Sequence, residues 1–146
     1  MSRSLAAASL LLALAVWSCG SKARVGSPSA ARANSVTTDQ EFELGPGQSA
    51  LVGSEPLKVT FETVTADSRC PPEVQCVWEG DAVARVSAAT SAQAPATYEL
   101  HTNSGFATQI THGAYRIRLT AVAPGPHAGV NIDPAAYVVT LVVTKP

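Results

Sequence analysis

Cys70 and Cys76 lie in the run Asp67-Ser68-Arg69-Cys70-Pro71-Pro72-Glu73-Val74-Gln75-Cys76-Val77-Trp78-Glu79-Gly80, where the chain gathers its least ordinary residues. Five residues separate the two thiols. Zinc sites place roughly two to four residues between paired cysteines, and redox-active dithiols about two, so this spacing points to a structural disulfide. Closing so short a ring restricts the unfolded chain by roughly 2–3 kcal/mol on the loop-entropy model. Pro71 and Pro72 pre-bend the ring. Trp78 stands two residues beyond Cys76, on the same face if the segment is extended, and is expected to cover the disulfide and fill the end of the core. Asp67 can accept backbone N–H bonds in the turn, and Arg69 can pair with Asp67, Glu73 or Glu79. Gly80 permits a backbone angle closed to other residues. The same residues can also recognise a partner. Asp67, Arg69, Trp78 and Glu79 form the candidate binding loop, for a glycan or a protein.

The other residues that could do chemistry are three histidines. His101 falls on the polar face of a strand pattern, while His112 and His127 sit beside Gly113 and Pro126 in turn-like, solvated segments. Either His101 or His112 could join the cysteines at a metal, and a serine with His127 and Asp133 would be a dispersed triad. Motif support is absent. Gly47-Gln48-Ser49-Ala50-Leu51 lacks the second glycine of a nucleophile elbow. Neither a His-Glu-x-x-His pair nor a phosphate-binding glycine loop occurs. The acidic residues are scattered over outward positions, with none paired for acid–base work. The expectation is therefore no catalytic residue, no metal and no cofactor.

These residues are carried by strands. Phe42 and Leu44 alternate with Glu41 and Glu43, and Gly45-Pro46-Gly47 turns the chain into Ser49–Val52. Leu57, Val59 and Phe61 face one way against Lys58, Thr60 and Glu62, the period of a half-buried strand. Residues 82–87 resume the pattern after the cysteine loop, and Tyr98 and Leu100 alternate with Glu99 and His101. Tyr115, Ile117 and Leu119 point inward against Arg116, Arg118 and Thr120, until Pro124-Gly125-Pro126 breaks the strand. Residues 137–143 are apolar on both faces, which predicts a central strand. No stretch sustains helical spacing. The fold expected is all-β: an antiparallel β-sandwich of about seven or eight strands, immunoglobulin-like or related, with a small barrel as the alternative.

Met1-Ser2-Arg3 is a short positive segment, and residues 5–16 are an uninterrupted run of apolar and small residues. A membrane span needs about 20 such residues, so the run has the length of a secretory leader instead. It ends in Val16-Trp17-Ser18-Cys19, which resembles a bacterial lipobox. In such signals the cysteine becomes the first mature residue and carries the lipid. Cys19 is accordingly the expected lipidation site, with cleavage after Ser21-Lys22-Ala23 by the general signal peptidase as the alternative. Lipidation of Cys19 leaves Cys70 and Cys76 as an even pair for an oxidising compartment. By resemblance to lipoproteins of two-membrane bacteria, Gly20 after the cysteine favours the outer membrane.

Without residues 1–18 the chain has 128 residues, with 9 Lys+Arg against 11 Asp+Glu, a formal charge of −2. That suffices for one domain with a real core and not for two. The absence of a basic block argues against a nucleic-acid partner. Residues 20–38 lack hydrophobic periodicity and read as a flexible tether, whose reach of roughly 24 Å lets the domain stand off the membrane. The expected organisation is a signal peptide at 1–18, the lipidated cysteine and tether at 19–38, and the β-sandwich at 39–146.

The run Asp67-Ser68-Arg69-Cys70-Pro71, followed by Val74-Gln75-Cys76-Val77-Trp78-Glu79-Gly80, resembles a motif of small bacterial lipoproteins with no established activity. Those chains also carry a strand before the motif and a Tyr-x-hydrophobic-x-Leu strand near the end. The counterparts here are residues 47–50, 115–124 and 137–143, so the resemblance covers about 40–146. It implies an exported β domain and transfers no catalytic residue. The function expected is an exported, membrane-anchored lipoprotein with a non-catalytic binding or scaffolding domain. Its partners would be the membrane, through the N-terminal lipid, and an envelope protein or glycan. The alternative is an envelope hydrolase or a copper- or zinc-binding module using His101, His112 or His127.

Overall fold

The computed structural model describes residues 34–146. The leader at 1–18, Cys19 and the tether as far as residue 33 lie outside the described residues. Among the described residues nine strands are present: β1 (Asn34–Val36), β2 (Glu41–Leu44), β3 (Ser49–Val52), β4 (Leu57–Asp67), β5 (Ala82–Ala89), β6 (Ala96–His101), β7 (Gln109–His112), β8 (Tyr115–Ala123) and β9 (Val138–Thr144). They form two sheets, ordered β1-β3-β4-β5-β6 and β2-β9-β8-β7. The sheets do not close on each other, so the domain is a sandwich and not the barrel held as the alternative. Every pairing is antiparallel except that of β1 with β3.

Alternation builds the core as expected. Leu57, Val59 and Phe61 of β4 are buried while Lys58 and Glu62 are exposed, and Tyr115, Ile117 and Leu119 of β8 are buried between exposed Arg116 and Arg118. Strand β5 turns Ala82, Ala84, Val86 and Ala88 inward, and the largest fully buried apolar side chains are Phe61, Leu44, Leu57, Leu100, Ile117 and Leu141. Strand β9 is central, between β2 and β8, with Val139, Leu141 and Val143 buried on one face and Val142 buried on the other.

Three local features depart from the sequence reading. Asn34–Val36, read as tether, form the edge strand β1, with the Val36 carbonyl accepting from Gly53 N–H at 3.1 Å. Three residues held chiefly by backbone pairing leave no periodic signature, so the folded part begins at least five residues before the expected boundary. His112, expected in a solvated turn, is fully buried in β7. The turn follows it, at Gly113. Finally, β4 carries extra residues at Glu62 and Thr65, where the register with β5 shifts. Each bulge reverses which residues face inward, so Val64, and not Thr63, packs against the core.

Strands β4, β6 and β8 all finish at one end of the sandwich, here termed the upper end. The loops 68–81, 102–108 and 124–137 therefore gather there. Strand β1 runs parallel to β3, and so away from that end.

Candidate functional site

The loop between β4 and β5 is closed at several levels. Its stem continues the hairpin, with Ser68 N–H donating to the Asp81 carbonyl at 2.7 Å and Cys70 N–H to the Glu79 carbonyl at 2.9 Å. Above the stem the Cys70–Cys76 disulfide is formed, with Cα atoms 6.0 Å apart. Gly80 has φ +76°, and a Cβ there would lie 1.9 Å from the Ser68 carbonyl oxygen. Only glycine allows the two arms to approach so closely.

Two aspartates fix the base of this hairpin, one on each side. Asp67 takes a two-pronged contact from Arg69, Nε to Oδ1 at 2.9 Å and Nη2 to Oδ2 at 2.6 Å, and Oδ2 also accepts from Tyr137 Oη at 3.0 Å. The same guanidinium donates to the backbone carbonyls of Val122 and Pro124 at 2.5 and 2.8 Å. Burial raises the Asp67 pKa, but the hydrogen bonds from Arg69 and Tyr137 outweigh it and hold the carboxyl below its ordinary value. Burial, and then the bond to Asp67, push the Tyr137 hydroxyl up.

On the other side, Asp81 is buried. Its Oδ1 accepts from the backbone N–H groups of Thr102 and Asn103, both at 3.0 Å, and from Thr102 Oγ1 at 3.1 Å. Its Oδ2 lies 2.6 Å from His101 Nδ1. An ionised carboxylate can only accept, so Nδ1 carries the proton. Here too burial pushes the pKa up, and the bonds from His101, Asn103 and Thr102 prevail and lower it. Asn103 Nδ2 donates to the Gly80 carbonyl at 3.0 Å, tying loop 102–108 to the hairpin a second time.

Above this base, residues 72–79 are all exposed. Trp78 is 57% exposed, and Val77 is fully so. The expectation that Trp78 lids the disulfide is therefore corrected. The backbone bends at Val77 and Trp78 instead of running as a strand, so the two-residue offset from Cys76 does not place both on one face. The upper end of the core is filled by Val122 and Tyr137.

The candidate loop residues thus divide. Asp67 and Arg69 belong to the base, whereas Trp78 and Glu79 are outward. Glu73 does not meet Arg69. Its Oε1 lies 2.5 Å from His127 Nδ1, and its Oε2 accepts from Ala128 N–H at 3.3 Å, so a third loop leans on the ring. All the exposed large apolar side chains among the described residues are in these three loops: Val74, Val77 and Trp78 in the first, Phe106 in the second, Val130 in the third. Phe106 stacks on His101, with ring centroids 5.0 Å apart. Sequence reasoning missed Asp81, His101 and Asn103 as members of this end. The one signal was an acidic residue in the Gly80-Asp81 step before a strand, a common turn feature.

The histidines are not brought together. His101 is held by Asp81 and His127 by Glu73, while His112 lies at the lower end with Nδ1 3.0 Å from Tyr98 Oη. His112 Nε2 is buried without a hydrogen-bond partner. Asp133 does not face His127; it caps the 3-10 turn Pro134–Ala136 by accepting from Ala135 N–H. Among the described residues no three His, Cys, Asp or Glu side chains are grouped so as to hold a metal ion. Two grooves at the lower end, of about 540 and 600 Å³, are lined by no histidine, and their one carboxylate, Glu55, is paired with Lys145 at 2.9 Å. A shallower groove of about 390 Å³ at the upper end runs beside Asp67, Tyr137, Val130 and Ile132. The arrangement is a braced loop that carries exposed apolar side chains, and the chain matches no protein-family model, no curated protein and no solved structure.

Proposed function

We propose that this chain is an exported, lipid-anchored domain of the cell envelope that binds or scaffolds through the upper end of its sandwich and performs no reaction. The observation that carries the binding reading is the gathering of Val74, Val77, Trp78, Phe106 and Val130 on three adjoining loops above a cross-braced base. Scattered exposed apolar residues are ordinary, whereas a clustered set marks an interaction surface. The envelope reading rests on residues 5–16 followed by Cys19.

Both parts are tested in one host. The full chain, expressed in a two-membrane bacterium, is expected to yield a mature N-terminus at Cys19 with the mass of the attached acyl chains. Cys19→Ser moves the protein to the soluble fraction. A mature chain beginning at Arg24 and free of lipid contradicts the anchor. For the surface, the unlipidated Cys19→Ser chain is immobilised and exposed to envelope extract; adding Val77→Ser with Trp78→Ser is expected to abolish the association with envelope material while the unfolding midpoint is retained. Unchanged association contradicts the assignment of this end.

A further inference from the structure

The occupant of the upper end follows from what surrounds it. Loops 102–108 and 124–137 contain no Lys or Arg, and the one basic residue of loop 68–81 is Arg69. Its guanidinium is engaged by Asp67, Val122 and Pro124. Glu73 is drawn back onto His127. The surface therefore offers no free Lys or Arg: exposed Val74 stands on the disulfide-closed ring, and exposed Val77 and Trp78 follow it directly, with the Glu79 carboxylate next in the chain. Tryptophan so placed favours the boundary between water and lipid, where the ring is buried and the indole N–H stays hydrated.

Chain geometry points the same way. Strand β1 runs away from the upper end, so Asn34 is its residue nearest that end. Asn34 pairs with Ala50, and Ala50 with Val59, which puts Asn34 roughly 25 Å below Asp67 by strand rise. The 14 residues 20–33 span up to about 45–50 Å when extended, enough to bring Cys19 level with the loop tips. An anchor within that reach makes docking intramolecular, so a modest apolar surface suffices.

We propose that the upper end docks on the bilayer that holds the lipid anchor, with Val74, Val77 and Trp78 entering the headgroup boundary. The domain then lies against the membrane and does not stand off it. This rests on the lipid-anchor reading above and names the partner of the same surface. With no free Lys or Arg at the tip and the Glu79 carboxylate exposed beside Trp78, docking is not driven by charge: it persists on zwitterionic lipid, is no stronger on anionic lipid, and does not weaken as salt is raised.

The test uses the mature lipidated chain in vesicles of phosphatidylethanolamine and phosphatidylglycerol, and separately of phosphatidylcholine, doped with lipids brominated at defined acyl depths. After removal of residues 1–18, Trp78 is the sole tryptophan, so its emission reads this loop alone. The expected result is a blue-shifted Trp78, quenched most by bromines nearest the headgroups in both vesicle types, at low and high salt. Val77→Asp, at a fully exposed position, is expected to weaken docking by about tenfold or more with an unchanged unfolding midpoint. If the chain is anchored but Trp78 keeps its solution emission, docking is overturned and the anchor stands. If Trp78 is shielded only in whole envelope preparations, the surface serves a protein or a glycan, and docking is likewise overturned. If the chain carries no lipid, both readings fall together.

Discussion

Arg69 closes a two-pronged contact on Asp67 and, with the same guanidinium, holds the carbonyls of Val122 and Pro124 at the end of β8. One side chain thus ties the β4–β5 loop of one sheet to the β8–β9 loop of the other. Its side chain is only 15% exposed. This makes Arg69 a brace, although it stands in the candidate binding loop. Arg69 is the poor test of recognition, and the outward Trp78 is the clean one.

Arg69→Ala leaves the Asp67 carboxylate and two carbonyls without their donor. It is expected to destabilise the domain by about 2–4 kcal/mol, measured by urea unfolding. Arg69→Lys keeps the charge but loses the planar fork, and should recover only part of the loss. Trp78→Ser is expected to change stability by no more than about 0.5 kcal/mol.

Gly80→Ala places a methyl group where the Ser68 carbonyl already lies, at a positive φ. The stem must open to admit it. A loss of about 2–4 kcal/mol is expected in thermal unfolding. Gly47→Ala, with positive φ but open space around the added carbon, should cost about 1 kcal/mol.

Acid should loosen the base of the loop. Asp67 and Asp81 both have folded-state pKa values below the ordinary value of about 3.9. A depressed carboxylate contributes stability that is fully present above the unfolded-state pKa and is lost as pH falls through the folded-state value. Stability is therefore expected to be flat in the contribution of these groups near neutrality and to drop below about pH 4. Asp81→Asn keeps one acceptor but turns an amide N–H₂ toward His101. It is expected to cost about 1–3 kcal/mol at neutral pH, and the gap to the wild-type protein should narrow with acidification. Urea midpoints across that pH range measure both effects.

Reducing the disulfide should remove about 2–3 kcal/mol and leave the sandwich folded, because the core lies below the ring and the stem has its own backbone bonds. The expected signature is an unchanged β-sheet circular dichroism spectrum with faster amide exchange at Val74, whose N–H donates to Pro71 within the ring. Complete unfolding on reduction would show that the base is weaker than its hydrogen bonds imply.

The strands were legible because one face of each is buried and the side-chain period is two. That signal is strong in residues 57–61 and 115–120 and absent from β1, which is held chiefly by its edge pairing with β3. The pairing of Cys70 with Cys76 was legible from spacing and the Asp67–Arg69 contact from proximity, since both are local. The Asp81–His101 bond spans 20 residues and the Arg69–Val122 bond 53, and no local pattern encodes either. Trp78 departs from the expectation because strand alternation does not continue past Cys76, where the backbone bends. His112 was misplaced because Gly113 beside it does turn, one residue later.

The central claim, that the loop presents Trp78 outward from a braced base, is tested most directly by acrylamide quenching of that residue in the monomeric chain from residue 20 onward, made without lipid and with the disulfide intact. The account predicts red-shifted emission and quenching approaching that of free tryptophan, unchanged on mild acidification. Blue-shifted emission protected from acrylamide would place the indole against its own sandwich, and would leave the upper end without its outward anchor.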